Sequence, residues 1–335
     1  MAGSRAPDGA ESRLPNPDRP LTATAVLSEL DSATTIQRCV NSLIRQEYPP
    51  GHYSVIVVDG GSTDGTQRFL DGVKDSKLTV RRIPGLSESA GQQIAAGEIE
   101  SDFILFTNSD VYVPPDWVRR HAEWHRRGYD MVGGAVFQSG DSVNFSRNVR
   151  TTGVPRTAPT QGAGFGFANF SVGARTYRDC GGIRDLPSQQ DAEFVLRALA
   201  GRASAIIDPA IEVEHDHPLG TLRRSFLRSY GYRANHSILE GNQPVERTPP
   251  DTSGVGPWEL WIPRIVRELS GVEPWAAYRA FAPRVPPRMR RPGFVEFLWL
   301  RFWGFTVPEL LAYGRQTLSH RPPSAIRNVH QLRAT

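Results

Sequence analysis

A carboxylate and two glycines follow a run of apolar residues in the N-terminal third of the chain. The run 55–58 is rich in β-branched residues and predicts a buried parallel strand, which ends at Asp59, Gly60 and Gly61. Ligands of open α/β sheets bind where strands end, so Asp59 can accept hydrogen bonds from a nucleobase or a ribose. The glycines let a ligand approach the backbone closely, and one of the polar residues 62–64 can cap the helix that follows. An ordinary strand-to-helix turn would explain the same residues.

A second apolar run ends in side chains that carry oxygen atoms. The run begins at Asp102, predicts a strand, and leads to Asn108, Ser109 and Asp110. A carboxylate just beyond a buried strand can hold Mg²⁺ or Mn²⁺, with phosphate and water oxygens completing the coordination. A helix can begin near Asp116, after two prolines that stop the strand. Alternatively, Asn108 and Asp110 only shape a turn.

Acidic and imidazole side chains also occur in the second half of the chain. Residues 190–200 predict a helix with an apolar side, and Asp191 and Glu193 lie in its first turn, where the helix dipole favours anions. A strand predicted from Ala205 onward ends in a polar tip that contains His215. Neutral imidazole is a sound ligand for Mn²⁺, whereas zinc is disfavoured because no cysteine lies nearby in the sequence. A dipole effect at the helix end and a solvated surface turn are the alternative explanations.

Taken together, three motifs resemble those of the family 2 glycosyltransferases, enzymes with a GT-A fold. They are the run Asp59-Gly60-Gly61-Ser62-Thr63-Asp64-Gly65-Thr66, the triplet Asn108-Ser109-Asp110, and a predicted helix at 35–45 followed by Gln46-Glu47-Tyr48-Pro49. The resemblance covers the region 21–217. It implies transfer of a sugar, with inversion, from a nucleoside-diphosphate sugar to an acceptor hydroxyl, and it implies Mg²⁺ or Mn²⁺ as the cofactor.

The resemblance also implies a role for each matching position. Contacts to the donor nucleotide are implied for residues near predicted strand ends and on one helix: Glu29, Asp59, Gly60, Gly61, Gln92, Asn108 and Ser109. Asp110 would hold the metal, and His215 would be a second metal ligand, with His217 as the alternative. Asp191 would be the catalytic base that takes the proton of the attacking hydroxyl, with Glu193 as the alternative.

Several positions depart from the family pattern. Ser28-Glu29-Leu30-Asp31 stands where the family often has Pro-Thr-Tyr-Asn, and Gln92-Gln93 stands where Arg-Asn is common. Asn108 and Gln190 each stand where the family has an acid. These departures leave a non-catalytic sugar-nucleotide-binding module as an alternative function. A nucleotidyltransferase on a related fold is a further alternative, but the sequence lacks the Gly-rich, Arg- and Lys-bearing N-terminal loop that such an enzyme would use.

Composition divides the 335-residue chain into three parts. Residues 1–20 are rich in Pro, Gly, Ser and charge, and they predict a disordered tail. Residues 21–217 predict an α/β domain of GT-A type, with a Rossmann-like, mostly parallel sheet flanked by helices. Residues 218–335 predict a helical C-terminal extension. The two cysteines, Cys39 and Cys180, are expected to be reduced thiols, as in a cytoplasmic protein.

The extension 218–335 is basic and aromatic, with 17 arginines against eight acids. It can pack on the catalytic domain, form a homodimer, or lie on the inner face of the cell membrane with its arginines near anionic lipid. Nucleic acid is not expected as a partner, because no nucleic-acid-binding motif accompanies the charge. The expected partners are a sugar donor based on UDP, GDP or dTDP and a hydroxyl acceptor that is lipid-linked or a small metabolite.

Overall fold

The computed structural model describes residues 19–139, 160–161, 166–186, 189–216 and 293–303, together with positions 226, 275, 278, 279 and 307. Over these residues the chain forms one mixed sheet with helices on both faces. The strands are β1 (Ala23–Glu29), β2 (Tyr53–Asp59), β3 (Leu78–Arg82), β4 (Phe103–Phe106), β5 (Val111–Tyr112), β6 (Met131–Gln138), β7 (Thr160–Gln161), β8 (Phe170–Gly173) and β9 (Ala205–His215).

The helices lie in the connections between these strands and in the extension. They are α1 (Ile36–Ile44), α2 (Thr66–Gly72), α3 (Glu88–Gly97), α4 (Trp117–Arg126), α5 (Ala174–Asp179), α6 (Gln190–Ala200) and α7 (Phe294–Arg301). A short 3₁₀ helix, Phe167–Asn169, leads into β8.

The strand order is β3-β2-β1-β4-β8-β6-β9-β5, with β7 beside β9. The predicted parallel sheet is found from β3 to β4, where all neighbours run parallel. The other half is mixed, because β8 runs antiparallel to both β4 and β6, and β5 and β7 run antiparallel to β9. An apolar run predicts that a strand is buried but does not give its direction. The antiparallel pairings in this half of the sheet therefore could not be predicted from the sequence.

Two apolar clusters cover the two faces of the sheet. One packs α1 and α4 against the sheet and includes Leu27, Leu43 and Trp117. The other lies under α3, α5 and α6 and is built on stacked aromatic rings that include Phe106 and Phe170. Because every residue of β1 is buried, this strand is held from both sides and fixes the position of the residues at its end.

Most predicted helix limits are found in the structure, with one exception. Helix α4 begins after Asp116, and α6 ends directly before Gly201. The prediction that a residue of 62–64 caps α2 was wrong. The residue before that helix is Gly65, with φ +107°, a left-handed conformation that glycine adopts without strain. Asp64 instead accepts a hydrogen bond from the backbone N–H of Thr66, at 3.0 Å.

A buried polar network ties α4 to the strands below it. His121 and His125 both contact the hydroxyl of Ser171 on β8, at 2.8 Å each. Asn169 accepts a hydrogen bond from the Trp117 indole and donates to the carbonyl oxygens of residues 135 and 211. Burial lowers the pKa of His121 to about 3 and that of His125 to about 4, so both rings are neutral at physiological pH.

Most of the extension and of the N-terminal tail lies outside the described residues, so their expected roles stay predictions. In α7, Phe297 is buried, and its ring lies 5.4 Å from that of Tyr278. Val295 and Trp299 of the same helix are exposed. Across the described ranges, no helix has both the length and the apolar character needed to span a membrane.

Replacing Gly134 with alanine should destabilise the protein by about 1–3 kcal/mol, because an added methyl group would overlap the carbonyl oxygen of Ile211 and the amide of Asn169. This glycine lies where the register between β6 and β9 shifts. The matched control is Gly72→Ala at the end of α2, where no atom lies within 4 Å of the added methyl group. Urea unfolding should show a loss only for Gly134→Ala, and equal stability of the two variants would contradict this packing.

Candidate functional site

A cavity of about 370 Å³ opens at the carboxyl ends of β1 and β4, beside the end of β9. Its walls contain five of the residues predicted from the sequence: Glu29, Asn108, Ser109, Asp110 and His215. The remaining lining residues are Ser28, Leu30, Leu86, Ser87 and Glu88. A larger space of about 540 Å³ lies along α1 and residues 113–115, but it contains none of the predicted site residues.

Asp110 and His215 meet at one side of this cavity. Val111 pairs with His215 across β5 and β9, so Asp110, one residue before β5, lies beside the imidazole. The Asp110 carboxylate lies 3.0 Å from Nε2 of His215. Gln138 contacts the other ring nitrogen, Nδ1, at 3.2 Å, which orients the ring towards Asp110.

Asp110 and His215 are the described side chains that were expected to hold a metal ion, and His217 lies outside the described residues. Among the described residues, no group of three or more His, Cys, Asp or Glu side chains is placed to hold a metal ion. Two protein ligands still suit Mg²⁺ or Mn²⁺, because these ions often take the rest of their coordination from phosphate and water oxygens. The carboxylate and imidazole of this pair therefore fit an ion that binds together with a diphosphate.

Glu29 lines the cavity and forms an acidic pair with Asp59. They are directly opposite in the register of β1 and β2, and both are buried. The oxygen Oδ1 of Asp59 accepts the backbone N–H groups of Gly61, at 3.1 Å, and Ser62, at 2.8 Å. Glu29 accepts the hydroxyl of Ser32 at 2.7 Å and that of Ser62 at 3.2 Å.

The two carboxyl groups differ in their affinity for a proton. Burial, together with the neighbouring Asp59, raises the pKa of Glu29 to about 7. Burial also acts to raise the pKa of Asp59, but the hydrogen bonds from Ser62 and Gly61 outweigh it and lower that pKa below its ordinary value. Below about pH 7 the pair therefore holds a proton on Glu29 and a negative charge on Asp59.

Asp59 and the two glycines lie behind the cavity wall. Asp59 has no exposed surface and does not line the cavity, so Glu29 is the carboxyl group of this pair that a ligand in the cavity would meet. Gly60 lies between Leu30 and Leu86, and a methyl group added to it would lie 3.3 Å from the backbone oxygen of Glu29. Gly61, with φ +103°, turns the chain next to Pro84.

Amide atoms of Asn108 and Gln92 are buried and have no hydrogen-bond partner in the described part of the chain. The side-chain oxygen of Asn108, on the cavity wall, accepts none, and neither amide atom of Gln92 on α3 has a partner. Buried polar atoms are rarely left unpaired, so Asn108 is free to bind a ligand. Gln92 does not line the cavity. Its neighbour Gly91 packs against Ser28, which does, and a methyl group added to Gly91 would overlap the Ser28 side chain.

The structure separates the two candidate bases. Glu193 is buried and lies 2.8 Å from the guanidinium of Arg197 and 3.1 Å from that of Arg184. No cation of the described residues pairs with Asp191, and its Oδ1 accepts the backbone N–H of Ala192 at 2.8 Å. Burial raises the pKa of the Asp191 carboxyl, and Gly166 lies alongside it. Asp191 does not line the 370 Å³ cavity.

Sequence reasoning missed several residues that shape the site. Leu30 and Leu86 line the cavity, and Leu30 is exposed although it follows a fully buried strand. In the sequence, the only hint of this role is that the apolar Leu30 stands between two acidic residues directly after the predicted strand. Ser87 and Ser89 donate to Asp185, at 2.6 and 2.7 Å, and so tie α3 to the segment before α6.

Comparison with known proteins adds independent information. The family model described as Glycosyl transferase family 2 matches residues 26–182. The poly(ribitol-phosphate) β-N-acetylglucosaminyltransferase TarS of Staphylococcus aureus is 29% identical over 93 residues, which are 27% of this chain and 16% of that protein. The glycosyltransferase AglE of Haloferax volcanii is 27% identical over 127 residues, which are 34% of this chain and 38% of that protein. The match thus spans well under half the length of each relative.

Two solved structures have a similar fold over most of the chain. The mannosyltransferase PcManGT of Pyrobaculum calidifontis, in complex with GDP-Man and Mn²⁺, superposes with a TM-score of 0.57 at 18% identity, covering 91% of this chain and 89% of that one. TarS residues 1–349 of S. aureus, in complex with UDP-GlcNAc, gives a TM-score of 0.51 at 15% identity, covering 92% and 93%. The predicted GT-A fold is therefore confirmed.

The carboxyl pair predicts a pH-dependent stability. Unfolded Glu29 ionises near its ordinary pKa of 4.5, whereas the folded protein keeps the proton to about pH 7. Between these values the unfolded state releases its proton first, so the wild-type protein loses stability as the pH rises. Glu29→Gln has no ionisable group at this position and so does not lose this stability. The free energy of unfolding of the variant minus that of wild type should therefore increase by about 1–2 kcal/mol from pH 4.5 to pH 7.5.

Urea unfolding at several pH values measures this difference. Glu47→Gln, which removes an exposed carboxyl after α1, is the matched control. A change in the Glu29→Gln series no larger than that in the control series would show that Glu29 ionises normally in the folded protein.

Proposed function

We propose that this chain, whose residues 26–182 match the family model described as Glycosyl transferase family 2, transfers a sugar from a nucleoside-diphosphate sugar to a hydroxyl group. The observation that carries the proposal is one cavity at the ends of parallel strands that is lined by Glu29, with Asp59 buried behind it, and by the Asp110–His215 pair. The first pair suits a nucleoside, and the second suits a cation that binds the diphosphate.

Asp110 and His215 are the residues that would hold Mg²⁺ or Mn²⁺ in this enzyme. Their separation of 3.0 Å and their place on the cavity wall support this role, and neutral imidazole favours Mn²⁺. A bound divalent cation would stabilise the negative charge of the departing nucleoside diphosphate. The structural neighbour PcManGT is a complex with GDP-Man and Mn²⁺, which agrees with this proposal.

Asp191 is the proposed catalytic base. An acceptor hydroxyl needs a carboxylate within hydrogen-bond reach to take its proton as the new bond forms. Burial raises the pKa of Asp191, which makes its carboxylate a stronger base. Glu193 is less suited, because two arginines neutralise it. A single carboxylate opposite the leaving group would give one in-line displacement and therefore inversion at the anomeric carbon.

The donor nucleotide in this proposal is UDP, GDP or dTDP. Glu29, Asn108 and Ser109 line the cavity that would receive it, and Asp59, Gly60 and Gly61 shape the wall behind them. Two solved structures with a similar fold are in complex with GDP-Man and with UDP-GlcNAc, respectively. The acceptor would be a lipid-linked or small hydroxyl compound, and residues 218–335 would contact it, a second subunit or a membrane surface.

Asp191→Asn should lower the rate of nucleoside-diphosphate release by about 10²–10⁴-fold, because the amide cannot take the hydroxyl proton. Release is measured with UDP-GlcNAc, UDP-glucose or GDP-mannose and Mn²⁺, with water as the acceptor where no better one is known. The dissociation constant of the donor should change less than about threefold, since Asp191 does not line the donor cavity.

Glu193→Gln is the contrasting variant, because it removes an acid from the same helical turn. Loss of its contacts with Arg184 and Arg197 should lower the thermal stability, while release per folded molecule falls far less than in Asp191→Asn. Unchanged release in Asp191→Asn would remove that residue from the mechanism. A wild-type protein that binds donors but releases no nucleotide would support the non-catalytic binding module instead.

A further inference from the structure

The imidazole of His215 lies between two side chains that determine which ring nitrogen carries the proton. The Asp110 carboxylate lies 3.0 Å from Nε2, and the side-chain amide nitrogen of Gln138 lies 3.2 Å from Nδ1. A carboxylate can only accept a hydrogen bond, and an amide nitrogen can only donate one. Both contacts therefore require a neutral ring whose Nε2 donates to Asp110 and whose unprotonated Nδ1 accepts from Gln138.

This position of the proton does not allow Nε2 to ligate a cation. A ring nitrogen binds a metal ion through its lone pair, so a neutral His215 must then carry its proton on Nδ1. One proton leaves Nε2 for water, one enters Nδ1 from water, and the ring stays neutral. Nδ1 thereby becomes a hydrogen-bond donor and needs an acceptor, as the second nitrogen of a metal-ligating histidine almost always does. The amide nitrogen of Gln138 cannot be that acceptor.

The backbone around Asp110 and His215 is held in place. Val111 pairs with His215 across β5 and β9, and the backbone N–H of Asp216 donates to the carbonyl oxygen of Asp110 at 2.8 Å. Two atoms at neighbouring positions of an octahedral ion, each about 2.1 Å from it, lie about 3 Å apart. The 3.0 Å between Asp110 and Nε2 of His215 matches this spacing. The site can therefore accept a cation by relocating one proton, with little movement of these two side chains.

Gln138 offers an acceptor as well as a donor at the same place. It is the direct neighbour of His215 in the register of β6 and β9, and it is buried. A half turn about the last bond of its side chain exchanges the amide nitrogen and Oε1, which are similar in size. After this turn Oε1 faces Nδ1 and can accept its hydrogen. Gln138 does not line the cavity, so it acts through His215 and not on a ligand.

We propose that Gln138 is the positioning residue for His215, and that its amide turns over when a divalent cation binds. The amide nitrogen holds the metal-free ring with its proton directed at Asp110. After the half turn, the amide oxygen holds the ring with its Nε2 lone pair directed at the cation. Glutamate could only accept and leucine could do neither, so glutamine is suited to both states. The inference rests on the proposed function, because it requires a cation at Asp110 and His215.

The first test measures the dissociation constant of Mn²⁺ by electron paramagnetic resonance, with the full-length chain and saturating UDP or GDP. Gln138→Leu should weaken Mn²⁺ binding by about ten- to a hundredfold, because Nδ1 of the ligating ring loses its acceptor. In the His215→Ala background the same substitution should weaken it less than about twofold, because Gln138 acts only through that ring. Gln46→Leu, the same change at a buried glutamine that does not line the cavity, should leave Mn²⁺ binding unchanged.

The second test reads the proton position by nitrogen NMR of wild-type protein with isotope-labelled histidine, and His215→Ala identifies the signal. The proton should lie on Nε2 without a cation and on Nδ1 with Mg²⁺ and the nucleotide bound. This measurement stays decisive if Gln138→Leu does not fold.

Three results would overturn the inference but not the proposed function. They are a proton on Nδ1 before any cation is added, Gln138→Leu binding Mn²⁺ as tightly as wild type, and an equal loss of affinity with and without His215. A wild-type protein that binds no Mn²⁺ with either nucleotide would instead contradict the proposed function, and the metal-free spectrum would still show whether Gln138 holds the proton on Nε2.

Discussion

The parallel register of β1 and β2 places two carboxyl groups side by side at the centre of the sheet. Both are buried, and two adjacent buried negative charges would cost several kcal/mol, so the surroundings must treat them differently. Backbone N–H groups of the turn after β2 stabilise the charge on Asp59, while Glu29 receives only hydroxyl groups. The glycine turn therefore keeps Asp59 ionised, because it directs two backbone N–H groups at the carboxylate.

The second half of the site depends on a different pairing. Strands β5 and β9 run antiparallel, and their register brings His215 next to Asp110 although the two residues are far apart in the sequence. Arg38 of α1 holds the end of β9 through Glu214, at 2.6 Å, and its guanidinium lies 3.6 Å from the centre of the Tyr112 ring. The network around Asn169 fixes β6, β8 and β9 relative to α4. The part of the cavity proposed to bind a nucleoside and the part proposed to bind a cation are thus supported by separate parts of the core.

The sequence predicted the local features better than the long-range ones. Apolar runs identified the strand that ends at Asp59 and the strand that ends two residues before Asn108, and the first turn of α6 was correctly expected to hold Asp191 and Glu193. The direction of β8 and the neighbour of Glu29 depend on pairings between distant segments, which no local pattern records. Glu193 could have been matched with Arg197 from helical spacing alone, but its contact with Arg184 comes from the fold. The motif that begins at Asp59 likewise does not predict that this residue is buried behind Glu29.

The central claim is that this cavity binds a nucleoside diphosphate together with a divalent cation. Thermal unfolding of the wild-type chain with UDP, GDP or dTDP, each with and without Mn²⁺, tests it most directly. A ligand at about 100 times its dissociation constant should stabilise the fold by roughly 2.7 kcal/mol, which corresponds to a shift of several degrees. A shift for at least one nucleotide that requires Mn²⁺ is the predicted result. No shift for any of them, or shifts of equal size without the metal, would contradict the account.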